Sequence, residues 1–126
     1  MLRCAALATL LAVAPAAALA QAPRNFPATA LRGELLVTQP PEVLLNGRPA
    51  RLAAGARVRG ADNLFKTSGT VIGQRLLVHY TFDLAGELQD VWVLTPAEAA
   101  RQPWPATPQQ AAGWSFNPYA QQWSRP

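Results

Sequence analysis

Turn-forming residues recur about every ten positions between residues 31 and 101, and this spacing constrains the fold more than any other feature of the sequence. The strongest signal is Asn46-Gly47, because both central residues of a type I′ turn need a positive φ. A two-residue loop at this point pairs Leu45 with Arg48. Short strands joined by such turns are typical of all-β domains, so the sequence predicts an all-β fold.

A second turn, at residues 83–86, joins two segments that are expected to supply much of the core. Asp stands first and Gly last in this turn, as a type I turn favours. If Gly86 forms the bulge that accompanies such a turn, the register places Val78 opposite Trp92 and His79 opposite Val91. The face that carries Val78 is almost wholly apolar and is predicted to be buried. His79, on the other face, is predicted to be half exposed.

The folded unit is predicted to close on itself. Residues 31–101 form a domain so small that it would bury only ~60% of its extended surface. Because closure removes exposed strand edges, we expect a five- to seven-stranded SH3-like or OB-like barrel. Residues 95–98, Thr-Pro-Ala-Glu, have the pattern of a capping box and predict one short C-terminal helix that ends before Pro103.

The first twenty residues have the pattern of a secretory signal peptide. Arg3 supplies the basic start, residues 4–13 are uncharged and mostly apolar, and Ala18-Leu19-Ala20 provides the small residues that signal peptidase accepts. We therefore expect cleavage after Ala20 and a periplasmic or secreted location. The alternative is a buried helix at the start of a cytoplasmic domain. No apolar run reaches the ~18 residues of a membrane span, so no transmembrane segment is predicted.

The two segments that flank the predicted barrel differ from it in composition. Residues 21–30 are predicted to be a linker and residues 102–126 a tail rich in Pro and Gln without regular structure, so both termini are expected to be flexible. The tail carries five aromatic residues, which are Trp104, Trp114, Phe116, Tyr119 and Trp123. Three interpretations remain open: a segment whose tryptophans dock on sugars or a partner, a segment that folds back over the barrel, or a disordered tail.

Charge is distributed unevenly along the predicted barrel. Basic residues dominate residues 48–75, and Arg57 and Arg59 project from one face of their strand because side chains alternate along it. Together with Arg51 they are the candidates for binding an anionic cell-wall or lipid component. The alternative is a solvated face whose charge is balanced by residues 83–98, which contain acidic residues and no basic one.

The sequence contains no recognisable catalytic constellation. His79 is the one imidazole, and the predicted register leaves no acid directly opposite it to support general-base catalysis. One Cys and one His cannot form a Cys/His zinc site, so neither a metal nor a cofactor is predicted. Nucleic acid is not expected as a partner of an exported protein with a modest net charge.

Two stretches of the predicted barrel, residues 45–59 with residues 62–64 and the strand at residues 91–95, resemble small exported proteins of proteobacteria that carry no assigned function. The resemblance implies export and a compact β unit, and it brings no catalytic residues. We therefore expect an exported, non-enzymatic β-barrel that acts as a binding or envelope-associated accessory module, with an envelope protein or an anionic envelope component as partner. The alternatives are an envelope hydrolase that uses His79 and a structural partner that docks through the aromatic tail.

Overall fold

The computed structural model describes residues 24–126, so the predicted signal peptide and its cleavage site lie outside the described residues. Strands dominate this part of the chain, which confirms the all-β prediction at the level of class. The strands are β1 (Leu31–Gln39), β2 (Glu42–Leu45), β3 (Arg48–Arg59), β4 (Phe65–Lys66), β5 (Arg75–Phe82), β6 (Leu88–Val93), β7 (Ser115–Asn117) and β8 (Gln122–Ser124). The helical elements are a 3-10 turn (Ser68–Val71), α1 (Pro96–Ala99) and α2 (Pro108–Gly113).

Five of the strands pair side by side into a ring, in the order β1-β2-β3-β6-β5 and back to β1. The pairing of β3 with β6 is parallel, and the other pairings around the ring are antiparallel. The short strand β4 pairs only with the end of β3. Each strand of the ring therefore has a neighbour on both sides, which removes the long unpaired edges that favour aggregation.

The turn between β2 and β3 follows from its two residues. Asn46 has a φ of 53° and Gly47 a φ of 78°, a region that Gly adopts freely and Asn tolerates. Leu45 pairs with Arg48, as the turn chemistry predicts. The side-chain oxygen of Asn46 also accepts a hydrogen bond from the backbone N–H of Glu34 at 2.9 Å, which ties the turn to β1.

The predicted register of β5 and β6 is wrong by one residue over most of their length. Gln89 is an extra residue in β6 and forms a bulge near the start of the strand. As a result, His79 lies opposite Trp92 instead of Val91. Val78 and Val91 are buried in the cluster inside the ring, whereas Trp92 belongs to a cluster on the opposite face of the sheet.

Buried apolar side chains form two clusters, one on each face of β5 and β6. The cluster inside the ring consists of Leu31, Leu35, Val37, Val43, Leu45, Leu52, Val58, Val78, Tyr80, Leu88 and Val91. The outer cluster consists of Phe26, Ala30, Trp92, Trp104 and Trp123. The sheet supplies only Trp92 to the outer cluster, so the segments before β1 and after α1 complete it.

These two terminal segments differ from the linker and the irregular tail that their composition predicts. Phe26 and Ala30, within the predicted linker, are buried. Residues 102–126 contain α2 and the antiparallel hairpin of β7 and β8. The physical reason is the outer face of the sheet, where His79 and Trp92 would meet water if the aromatic rings of the termini did not cover them.

Candidate functional site

The capping box of α1 forms as predicted and is joined to the N-terminal segment by a buried ion pair. The Thr95 hydroxyl accepts from the Glu98 backbone N–H, and the Glu98 carboxylate accepts from the Thr95 backbone N–H at 3.0 Å. Arg24 donates to the same carboxylate from Nη2 at 2.7 Å and from Nε at 2.9 Å. Burial opposes ionisation of Glu98, but the hydrogen bonds from Arg24 and Thr95 lower its pKa to about 2. The Glu98 carboxylate is therefore ionised, and its hydrogen bonds serve the fold by joining α1 to the N-terminal segment.

His79 is wholly buried, so the prediction of a half-exposed histidine is wrong. Its ring stacks on Trp104, with 4.1 Å between the ring centroids, and contacts the edge of Phe26. Nε2 accepts a hydrogen bond from Arg32 Nε at 3.2 Å. Burial, and then the charge of Arg32, lower the pKa of His79 to about 3, so the ring is neutral at ordinary pH. No carboxylate among the described residues is hydrogen-bonded to this ring.

The three arginines predicted to bind an anion already have partners. Arg51 forms ion pairs with Glu42 at 3.0 Å and with Glu87 at 3.4 Å. Arg57 Nε lies 3.1 Å from Asp90 Oδ1. The third, Arg59, has its guanidinium 4.9 Å from the centre of the Phe65 ring. The fold therefore brings acidic residues of the β5–β6 hairpin onto two of the three, as the alternative of a balanced face predicts.

The tail tryptophans predicted to dock on a partner are packed against the protein itself. Trp104 is 6% exposed and Trp123 is 3% exposed, and both belong to the outer cluster. Trp104 Nε1 donates to the Ala30 carbonyl at 2.9 Å, which fixes the start of the tail against the N-terminal segment. Trp114 is partly buried against the same cluster. Among these three tryptophans, only Trp114 offers an appreciable part of its ring to a ligand.

An open groove of about 740 Å³ lies where the N-terminal segment, the sheet and the tail meet, and we call it the aromatic groove. It is lined by Pro27, Ala28, Thr29, Leu31, Thr81, Phe82, Asp90, Pro108, Ala111, Ala112, Trp114, Phe116 and Trp123. Apart from the indole N–H groups of its two tryptophans, its polar side-chain groups are the hydroxyls of Thr29 and Thr81 and the carboxylate of Asp90. The Asp90 carboxylate receives Arg57 on Oδ1, while Oδ2 has only a long contact of 3.5 Å with the Thr81 hydroxyl.

A second cleft, of about 580 Å³, has a different chemistry, and we call it the arginine cleft. It is lined by Arg32, Gln102, Pro103, Trp104, Trp123, Ser124 and Arg125. Trp123 lines both this cleft and the aromatic groove. Sequence reasoning missed both sites because residues far apart in the chain form them. Alternation along β1 would have placed Arg32 on the outer face, but nothing local to the tail indicates a role for Arg125.

Within residues 24–126, no three His, Cys, Asp or Glu side chains stand close enough together to hold a metal ion. Neither helix in this range combines the length and the apolar character that a bilayer crossing demands. Comparisons with protein-family models, with curated proteins and with solved structures found no match. The function is therefore inferred from the geometry and chemistry of the two sites.

Proposed function

We propose that this chain is an exported, non-enzymatic binding module that takes a saccharide of the cell envelope in its aromatic groove. The observation that carries the proposal is the lining of the groove, which combines aromatic and aliphatic side chains with oxygen acceptors. Its volume falls within the range of about 300–1,000 Å³ that is usual for ligand sites. A saccharide presents apolar C–H faces for the rings and hydroxyl groups that donate to the oxygens.

The fold proposed for this module is the OB-like barrel rather than the SH3-like one. A five-stranded ring in which β6 lies between β3 and β5 supports this choice, since OB folds are five-stranded Greek-key barrels that bind oligosaccharides and oligonucleotides. Export, with cleavage after Ala20, follows from the N-terminal sequence pattern and from the resemblance to small exported proteins. Export in turn favours a saccharide over a nucleic acid as the ligand.

Other occupants fit the groove less well. An acyl chain brings no donor to Asp90 Oδ2, and a proline-rich peptide brings few because Pro lacks a backbone N–H, whereas a saccharide brings several hydroxyl groups. Among the described residues, His79 gives the hydrolase alternative no accessible general base, because its ring is wholly buried. Of the three tail tryptophans predicted to dock on a partner, only Trp114 is left, because Trp104 and Trp123 are buried.

The proposal is tested by titration calorimetry of the signal-free chain with maltotriose and with tri-N-acetylchitotriose. We expect saturable binding of at least one of them, weakened about tenfold by Phe82→Ala and several-fold by Asp90→Asn. Phe65→Ala removes an exposed ring outside the groove, and Asp62→Asn breaks an exposed ion pair of the same 3.1 Å length as that of Asp90. Both of these controls should leave binding unchanged.

Three results would overturn the saccharide proposal. The first is that neither trisaccharide binds saturably. The second is binding of decyl maltoside without binding of maltotriose, which would identify an acyl-chain site. The third is tight binding of a proline-rich peptide that does not depend on Asp90.

A further inference from the structure

Most acidic side chains of residues 24–126 form ion pairs. The cations that have no carboxylate partner among these residues are not spread evenly over the surface. The paired cations are Arg24, Arg51, Arg57, Lys66 and Arg75. Those without a carboxylate partner among the described residues are Arg32, Arg48, Arg59, Arg101 and Arg125. Arg32 and Arg125 line the arginine cleft. Burial, and then the charge of nearby Arg101, lower the pKa of Arg32.

The guanidinium of Arg32 is held in place by hydrogen bonds to neutral acceptors. Its Nη1 donates to the carbonyl of Ala99 at 3.0 Å and its Nη2 to the carbonyl of Glu98 at 2.9 Å, at the C-terminal end of α1. Its Nε donates to His79. A guanidinium has five N–H donors, so two of them remain after these three bonds. The result is a fixed and partly buried cation that is met by carbonyl and imidazole dipoles and by the ring of Trp104, 5.7 Å away, and by no carboxylate among the described residues.

The other polar groups of the cleft can also donate hydrogen bonds to an anion. The guanidinium of Arg125 lies 5.3 Å from the centre of the Trp114 ring, which orients it without neutralising it. Ser124 supplies a hydroxyl and Gln102 an amide group. Trp123 also lines the cleft, but its indole N–H is buried and is not among the donors that a ligand can reach. Within the part of the chain that the structure describes, no carboxylate side chain lines the cleft.

We propose that the arginine cleft binds an oxyanion, a phosphate or carboxylate group carried by a small soluble molecule. Guanidinium groups bind such groups through paired, charge-assisted hydrogen bonds, and two of the residues that line the cleft, Arg32 and Arg125, carry one. The site differs from the aromatic groove in its chemistry and shares only Trp123 with it. It also replaces the anion site that the sequence predicted at Arg51, Arg57 and Arg59, where the cations already have partners.

The probes are inorganic phosphate and acetate, titrated into the signal-free chain and followed by backbone amide NMR shifts. We expect saturable shifts at residues 32, 102 and 123–125, and a loss of affinity as NaCl rises from ~20 to ~150 mM. Arg125→Gln should weaken phosphate binding about tenfold, and Arg125→Lys should restore only part of it, because an ammonium lacks the planar fork. Arg48→Gln removes the same charge from an exposed arginine outside the cleft and should have no effect.

Because Arg125 is exposed and lies outside β8, its variants should keep the fold, and thermal unfolding checks this. Equal weakening by Arg125→Gln and Arg48→Gln would overturn the proposal, since it would indicate attraction by net charge alone. Binding to phosphatidylglycerol vesicles without saturable binding of free phosphate would overturn it in favour of a membrane surface. Phe82→Ala should leave phosphate binding intact, so failure of the saccharide proposal and failure of this one are distinguishable.

Discussion

His79 shows how a titratable side chain can be committed to the packing of a protein. The ring lies between Trp104 and Phe26, and Arg32 donates to its Nε2, so the neutral ring carries its proton on Nδ1. That Nδ1 atom is buried and has no partner in the described chain. Protonation would place a cation beside Arg32, with Arg101 and Arg24 adding to the repulsion and only Glu98 opposing it.

Stability should therefore fall as the solution becomes acidic. Between pH 6.5 and about pH 3 the unfolded chain binds a proton at His79 that the folded chain excludes. The free energy of unfolding should decline by at most ~1.4 kcal/mol for each pH unit in this window. Glu98, whose pKa falls from 4.5 to about 2, adds stability that is complete above pH 4.5 and is lost as the pH falls toward 2. Urea unfolding between pH 6.5 and pH 5 should therefore report mainly on His79.

His79→Gln supplies the matched comparison, because it retains an acceptor for Arg32 and removes the titration. The slope of unfolding free energy against pH should flatten in this variant, whatever its absolute stability. An unchanged slope would mean that His79 is solvated in the folded state and is not packed against Trp104 and Phe26.

Among the turns, strands and helices, the features that could be predicted are those that a few adjacent residues determine. The positive φ of Asn46-Gly47 and the capping box of Thr95 and Glu98 are properties of a few adjacent side chains. The bulge at Gln89 was not predictable, because nothing in its neighbours indicates an extra residue and only packing on both faces selects it. The aromatic groove was missed for a similar reason, since three segments that are distant in sequence form it.

The hairpin of β7 and β8 tests whether the tail belongs to the fold. Trp123→Ala should lower the free energy of unfolding by about 3–5 kcal/mol, because a buried indole that contacts Trp104 and Phe116 is replaced by a cavity. These two neighbouring rings can fill the cavity only in part. Tyr119→Ala, at the exposed tip of the same hairpin, should change it by less than about 0.5 kcal/mol. Guanidinium titration measures both variants. Equal and small effects would show that the tail is dispensable for folding.

At the scale of the whole molecule, Arg24 connects parts of the chain that composition treats as separate. Besides Glu98 in α1, it donates to the carbonyls of Gly60 at 2.9 Å and Val93 at 2.6 Å, so it joins the loop after β3 to the end of β6. Arg101 in turn donates to the Arg24 carbonyl at 2.8 Å. If cleavage follows Ala20, as we propose, only three residues precede this anchor in the exported chain.

Loss of Arg24 should therefore destabilise the whole domain and not only its first residues. The Arg24 and Glu98 side chains are 13% and 1% exposed, and removal of one partner of a buried pair costs about 3–5 kcal/mol because it strands the other charge. Arg24→Gln should lower the urea midpoint accordingly. Arg75→Gln breaks the exposed pair with Glu34 and should change stability by no more than about 1 kcal/mol. If the two variants unfold at the same urea concentration, the N-terminal segment is not an integral part of the fold.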